Sequence, residues 1–117
     1  MLASVPLDDP RHVRSLEDAF DLTTPKIQTW ELHLIWRALL LGLLRLDRHA
    51  GRAARDESVP RAEIERVVLD ATKLSKDLRS SERQPGINFE GRIAGGRRLR
   101  VKVSWFVGYV VVTVHTL

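Results

Sequence analysis

The sequence predicts an α+β domain in which two or three N-terminal helices pack on a small C-terminal antiparallel sheet. Its 117 residues suit one compact domain with one core. Apolar residues recur at helical spacing in the first part of the chain, whereas from Gly86 onward apolar and polar residues alternate as in half-buried strands. We therefore expect a single domain, 1–117, with a helical part at about 1–71 and the sheet at about 86–117.

Two proline signals mark the starts of the first helices. In Asp9-Pro10 and Thr24-Pro25 a capping side chain precedes a proline, whose fixed φ suits the first helical turn. They predict a short helix over Pro10–Phe20 and a long helix from Pro25 to about Ala54. A third helix is expected from Ser58 to about Ala71, followed by a polar connection over Thr72–Pro85.

The segment Trp30–Leu46 is the most apolar stretch of the chain. It contains Glu31, His33, Arg37 and Arg45, which argue against a membrane span. We expect no membrane-spanning segment, and interpret the stretch as a helix that lies in the core or docks on a partner.

Three strands follow, over Ile87–Ile93, Arg97–Trp105 and Tyr109–His115, with turns at Gly95-Gly96 and Val107-Gly108. The middle strand alternates strictly between apolar and polar residues, which predicts a sheet with one apolar and one polar face. The residues predicted to share the polar face are Asn88, Glu90, Arg92, Arg98, Arg100, Lys102, Ser104, Thr113 and His115.

That polar face carries the residue types needed to bind a phosphodiester and to move protons. Arginine holds phosphate oxygens with a planar fork of donors, and histidine is the side chain that titrates near neutral pH when unperturbed. The alternative interpretation is a solvated face, because an antiparallel sheet covered by helices on one side commonly presents charged residues to water on the other.

Composition narrows the class of function. Nineteen Lys and Arg against fifteen Asp and Glu give a net charge of +4, which favours anionic partners such as nucleic acid. The sequence contains no cysteine, which excludes disulfides, thiol catalysis and cysteine zinc sites and fits a reducing cytoplasm.

His49 stands in a second basic cluster near the end of the predicted long helix. Helical spacing places His49, Arg52 and Arg45 on neighbouring positions of one face. The alternative is a solvated basic helix end that complements the macrodipole. His12 and His33 have no carboxylate or second histidine at ligand spacing, so the sequence predicts no metal site.

Three short motifs stand in order along the second half of the chain. They are His49-Ala50-x-Arg52, Arg61-x-x-Ile64-x-x-Val67 and Gly95-Gly96-Arg97-Arg98-Leu99-Arg100-Val101-Lys102-Val103. Together they resemble a family of small bacterial toxin ribonucleases, the barnase/EndoU/RelE-like group. Gly91-Arg92-Ile93 and Val112-Thr113-Val114-His115 are similar to strands of RelE- and YoeB-type messenger RNA interferases. The resemblance covers about residues 49–115 and matches Arg92, Arg98 and His115 to the toxins' strand arginines and terminal-strand histidine.

The resemblance implies a metal-independent ribonuclease without a cofactor, which cleaves transfer RNA or messenger RNA by attack of the RNA 2′-hydroxyl. Glu90 or His49 would act as base, His115 as its acid or base partner, and Arg98 would stabilise charge at the reacting phosphate. Phosphate binding would fall to Arg92, Arg100, Lys102, Arg52 and Thr113. Such a toxin acts in the cytoplasm, is delivered from another cell as part of a larger effector in some systems, and has a cognate immunity protein or antitoxin.

The main alternative is a non-catalytic interaction module, such as an immunity protein, an antitoxin or a small subunit. It would dock through the apolar helix over residues 30–46, which is also a candidate homodimer interface. The basic net charge argues against a neutraliser of nucleases, which has to complement a basic target. A nucleic-acid-binding domain without catalysis is the third possibility.

Overall fold

The computed structural model describes residues 10–78, 84–106 and 109–117, with residues 109–111 described by their backbone. Within these ranges the chain forms four α-helices and a five-stranded sheet, which confirms the α+β class. The helices are α1 Leu16–Ala19, α2 Thr29–Leu40, α3 Arg48–Asp56 and α4 Arg61–Asp70, and the strands are β1 Leu44–Leu46, β2 Lys73–Asp77, β3 Gly86–Arg92, β4 Arg98–Phe106 and β5 Tyr109–Thr116.

The sheet is mixed, and its strand order is β1-β5-β4-β3-β2. Strand β1 runs parallel to β5, with Leu44 opposite Val110, and the other neighbours are antiparallel. The expectation of helices followed by a purely antiparallel sheet is therefore wrong in its details. One strand lies between α2 and α3, and another follows α4 directly.

The predicted long helix from Pro25 to Ala54 is two helices with β1 between them. Helix α2 ends at Leu40, and Gly42 follows with a φ of 74°, a left-handed conformation that favours glycine and ends helices. A new helix starts where the Asp47 carboxylate accepts a hydrogen bond from the Ala50 backbone N–H at 2.6 Å. This break places the start of α3 beside the sheet.

The first predicted helix is also shorter than expected. A 3-10 turn at Pro10–His12 and the four-residue α1 replace the continuous helix over Pro10–Phe20, and the proposed cap Asp9 lies outside the described residues. The predicted third helix is confirmed as α4, whose Ile64, Val67 and Val68 are buried.

Strand β2 occupies part of the segment predicted to be a polar connection. Its five residues pair with β3, and Leu74 is opposite Phe89. The rest of that connection at 79–83 and the predicted turn at Val107-Gly108 lie outside the described residues.

The predicted alternation in β4 is confirmed. Leu99, Val101, Val103 and Trp105 are buried, while the residues between them are partly or fully exposed. The helices pack on the apolar face, where the Trp105 indole Nε1–H donates to the Val13 carbonyl oxygen at 3.2 Å. The opposite face of the sheet is the polar one.

Helix α2 explains most of the apolar Trp30–Leu46 segment. Leu34, Ile35, Ala38 and Leu39 are buried in the core, whereas Leu40 is 77% exposed. Across the described ranges, none of the helices combines the length and apolar character needed to cross a membrane.

A buried ion pair joins the start of α2 to the edge strand β2. The Lys76 Nζ lies 2.6 Å from the Glu31 Oε2, and the two side chains are 1% and 0% exposed. Glu31 also accepts hydrogen bonds from the backbone N–H groups of Asp21 and Gln28, and Lys76 donates to the Lys26 carbonyl oxygen. Lys76 therefore belongs to the core side of β2 and not to the polar face.

Helix α4 is tied to the turn between β3 and β4 through Glu63. Its carboxylate accepts from the Arg66 guanidinium at 2.6 Å and from the Ala94 backbone N–H at 3.3 Å. The hydrogen bond from Arg66 is the main reason that the pKa of Glu63 lies below its usual value. This contact stabilises the fold at pH values above the usual pKa of a glutamate side chain. Its contribution is lost as the pH falls through the lowered pKa of Glu63.

We expect Gly86→Ala to lower the free energy of unfolding by about 1–3 kcal/mol. A Cβ atom at this position would clash with the Val103 carbonyl oxygen and lie 2.9 Å from the Ser104 Oγ, so β3 and β4 would have to move apart. Urea unfolding measures the change. Gly51→Ala is the control, because a Cβ there has no heavy atom within 4 Å and α3 favours alanine over glycine. Equal stability of Gly86→Ala and the wild type would contradict the close approach.

Candidate active-site groove

The strand register gathers the predicted polar residues on one face of β3, β4 and β5. Glu90 is opposite Arg100, which is opposite His115. Directly paired residues of antiparallel strands point to the same side of a sheet, so these three side chains form one row. The next row on one side contains Asn88, Lys102 and Thr113. The next row on the other side contains Arg92 and Arg98.

Glu90 organises the arginines of this face. Its side chain is 6% exposed, and its two oxygens accept from the Arg100 Nε at 3.1 Å and the Arg98 Nη2 at 3.4 Å. A buried carboxylate needs such partners, because an unpaired buried charge is strongly destabilising. Glu90 therefore holds two guanidinium groups in place, while the Arg98 and Arg100 side chains stay 50% and 44% exposed.

An open groove of about 850 Å³ runs along the face. The predicted site residues that line it are His49, Arg100, Lys102, Thr113 and His115. Its remaining lining residues are Asp47, Ala50, Asp77, Gln84, Asn88, Ser104, Phe106 and Val114. We refer to this set as the groove.

The two histidines reach the groove from different elements. His115 projects from β5, and His49 stands in the first turn of α3, and both are exposed. The Asp47 backbone N–H donates to the Val112 carbonyl oxygen at 3.2 Å, which fixes the start of α3 against β5. The break in the predicted long helix is thus what brings His49 to the same groove as His115.

Lys102 and Asn88 occupy the middle of the groove with partners of their own. The Lys102 Nζ lies 2.9 Å from the Asp77 Oδ2, and the Lys102 side chain is 13% exposed. Asn88 donates to the Ser75 hydroxyl oxygen at 3.4 Å. Lys102 and Arg100 each have a carboxylate partner, but the Arg100 side chain is 44% exposed, so Arg100 is the more accessible cation of the groove.

Four predicted site residues do not line the groove. Arg92 and Arg98 lie on the same face, one row beyond Arg100 and His115. Glu90 is buried beneath the arginines, and Arg52 is exposed elsewhere on α3. Arg92, Arg98 and His115 thus share a face, but the groove holds His115 without the two arginines.

Sequence reasoning missed Asp47, Asp77, Gln84 and Phe106. Phe106 continues the alternation of Arg98, Arg100, Lys102 and Ser104, so its face was readable from period-two spacing. Asp47 has the residue type of an N-cap but stands inside an apparently continuous helical pattern. Asp77 belongs to a short edge strand with little apolar character.

Within 10–78, 84–106 and 109–117, no group of three or more histidine or carboxylate side chains is arranged to hold a metal ion. Comparison of the chain with protein-family models, with curated proteins and with solved structures finds no match.

Proposed function

We propose that this chain is an endoribonuclease that cleaves RNA without a metal ion, and that the groove is its active site. The observation that carries the proposal is that His49 and His115, from separate elements, line one groove together with Arg100. Two imidazoles beside a guanidinium supply a proton acceptor, a proton donor and a cation for a phosphodiester.

The proposed reaction uses a nucleophile that is already in the substrate. One histidine, neutral, takes the proton of the RNA 2′-hydroxyl as its oxygen attacks the adjacent phosphorus. The other histidine, protonated, gives its proton to the 5′-oxygen that leaves. The P–O5′ bond breaks as the P–O2′ bond forms, so the products are a 2′,3′-cyclic phosphate and a 5′-hydroxyl. Either His49 or His115 suits either role.

Arg100 stabilises the charge that builds on the phosphate oxygens. It contacts Glu90 through Nε, which leaves the fixed fork of its Nη groups to address the phosphate. Glu90 acts as a positioning residue in this proposal, because its oxygens already accept from two arginines. Arg92, Arg98 and Lys102 would extend the positive surface to neighbouring phosphates.

The biological setting that we propose follows from the resemblance to toxin ribonucleases. The substrate would be cellular transfer RNA or messenger RNA in the cytoplasm. A cognate immunity protein or antitoxin would protect the cell that makes the chain. The net charge of +4 favours both an anionic substrate and an acidic inhibitor.

The test is incubation of the purified chain with total cellular RNA with and without EDTA, and separately with ribosomes in magnesium buffer, followed by analysis of the cleaved ends. We expect discrete fragments that carry 2′,3′-cyclic phosphate and 5′-hydroxyl ends. An oligonucleotide with 2′-deoxyribose throughout is the matched control and should stay intact. Intact RNA in every condition, or cleavage that EDTA abolishes, would contradict the proposal.

Arg100→Ala should lower the cleavage rate by about 10²- to 10³-fold, because one preformed donor to the developing charge is lost. Arg100→Lys keeps the charge but not the planar fork, so we expect an intermediate rate. Arg37→Ala, which removes an exposed arginine from α2, is the control and should cleave like the wild type. Equal rates for Arg100→Ala and Arg37→Ala would remove Arg100 from the mechanism.

A partner-binding module is the second candidate function. The observation that favours it is the pair Leu40 and Leu41 at the end of α2, which are 77% and 47% exposed. The same RNA assay separates the two candidates. Intact RNA, with ribosomes also supplied, would favour docking through this end of α2.

A further inference from the structure

A large aromatic side chain stands at the end of the groove. Phe106 is the last residue of β4, is 42% exposed and lines the groove on the same face as Arg100 and Lys102. It therefore adds an aromatic ring to a groove whose other lining residues are mostly polar or charged.

Phe106 lies too far along β4 from Arg100 and His115 to take part in a step at those two residues. It is six positions from Arg100, and at about 3.4 Å per position this is roughly 20 Å of strand. Arg100 is the residue directly opposite His115. A ligand that contacts both ends of the groove must therefore be a polymer longer than one dinucleotide.

The groove between the two ends offers hydrogen-bonding groups and one ion pair, between Lys102 and Asp77. Ser104 lies between Phe106 and Lys102 along β4, and Asn88 and Gln84 also line the groove. Carboxamides both donate and accept, as the edges of nucleobases do. The cations are concentrated toward the Arg100 end, so the Phe106 end is suited to bases more than to phosphates.

We propose that the groove binds a single-stranded segment of RNA and that Phe106 is a subsite on which an unpaired base stacks, several nucleotides from the cleaved bond. This proposal rests on the proposed function, which places the reacting phosphate of the RNA at the His49 and His115 end of the groove. Bases within a duplex are stacked on each other, so the ring selects unpaired RNA.

The experiment measures binding of a fluorescent 2′-O-methyl oligoribonucleotide of mixed sequence by fluorescence anisotropy. The methyl group removes the nucleophile, so binding is observed without cleavage. We expect Phe106→Ala and Phe106→Leu to bind about 5- to 100-fold more weakly than the wild type, and Phe106→Tyr to bind within about twofold of it. When the same oligonucleotide is annealed to its complement, the affinity of the duplex should be the same for the wild type and the Phe106 variants.

Phe106→Leu is the decisive variant, since it keeps an apolar side chain and removes the ring face. Thermal unfolding checks that it folds like the wild type. The slope of log K against log salt should be the same for Phe106→Leu and the wild type, whereas Arg100→Ala should reduce its magnitude by about 0.7, the value of one phosphate contact on a single strand.

Several outcomes would overturn the stacking subsite. These are wild-type affinity in Phe106→Leu, equal losses in Phe106→Tyr and Phe106→Leu, or failure of the wild type to bind the oligonucleotide. The cleavage assay is read separately. If RNA is cleaved in EDTA but binding does not depend on Phe106, the nuclease proposal stands and the stacking subsite is wrong. If binding depends on Phe106 but no RNA is cleaved, the stacking subsite stands and the nuclease proposal is wrong.

Discussion

His49→Ala and His115→Ala should each lower RNA cleavage by about 10²- to 10⁴-fold at neutral pH. Each substitution removes one of the two groups that transfer protons, while Arg100 and the rest of the groove remain. Both histidines are exposed, so we expect the variants to unfold at the same temperature as the wild type. Initial rates of cleavage of one labelled RNA in EDTA measure the effect.

The pH dependence of the rate distinguishes proton transfer from simple binding. A neutral base and a protonated acid together give a bell-shaped profile, and each single variant should lose one limb of it. The limb that each variant loses assigns the acid and the base. The double variant should be only slightly slower than the slower single variant, because groups that act in one step are not additive.

His33→Ala is the matched control. His33 is exposed on α2, with its ring centroid 5.8 Å from that of Trp36, and does not line the groove. This variant should cleave at the wild-type rate with the wild-type pH profile. If His49→Ala or His115→Ala also behaves like His33→Ala, the histidine pair is not the catalytic pair.

Lys76→Met should lower the free energy of unfolding by about 3–5 kcal/mol. The substitution leaves the Glu31 carboxylate in the core without its ammonium partner, although two backbone N–H groups still donate to it. Lys76 also donates to the Lys26 carbonyl oxygen, so the loop before α2 loses a second contact with β2. Equilibrium unfolding in urea measures the difference, provided that the slope of the transition is unchanged.

Two further variants test the cause of that loss. Lys73→Met removes an exposed lysine from the same strand and should change stability by less than about 0.5 kcal/mol. Adding Glu31→Gln to Lys76→Met removes the unpaired charge but keeps an acceptor for the backbone, so it should restore part of the stability. A loss below about 1 kcal/mol in Lys76→Met would show that the ion pair is not a main support of the fold.

Local patterns in the sequence predicted the polar face of the sheet but not its edges. The alternation of Leu99, Arg100, Val101 and Lys102 is repeated over enough residues to fix both the strand and its faces. Strand β1 has only Leu44, Arg45 and Leu46, and these continue the apolar helical pattern before them. Its partner β5 is distant in the chain, so no local pattern could indicate the pairing.

The candidate site also combines residues that local sequence patterns place together with one residue that they do not. Arg100, Lys102, Thr113 and His115 share a face through strand periodicity, which the sequence carries directly. His49 joins them because a glycine ends α2 and Asp47 starts a new helix beside β5. Glycine and aspartate are ordinary stop and start signals, yet the apolar run on both sides of Gly42 favoured one continuous helix.

The parallel pairing of β1 with β5 has a consequence for the order in which the molecule folds. β1 has no strand neighbour until β5 exists, since β5 alone connects it to the sheet. Closing that contact costs loop entropy across most of the chain, and contacts of this kind slow folding. Helix α3 can pack against β5 only after β5 has been synthesised, although α3 itself is made much earlier. We therefore expect the contact that brings His49 beside His115 to form late in folding, after the local helices and hairpins.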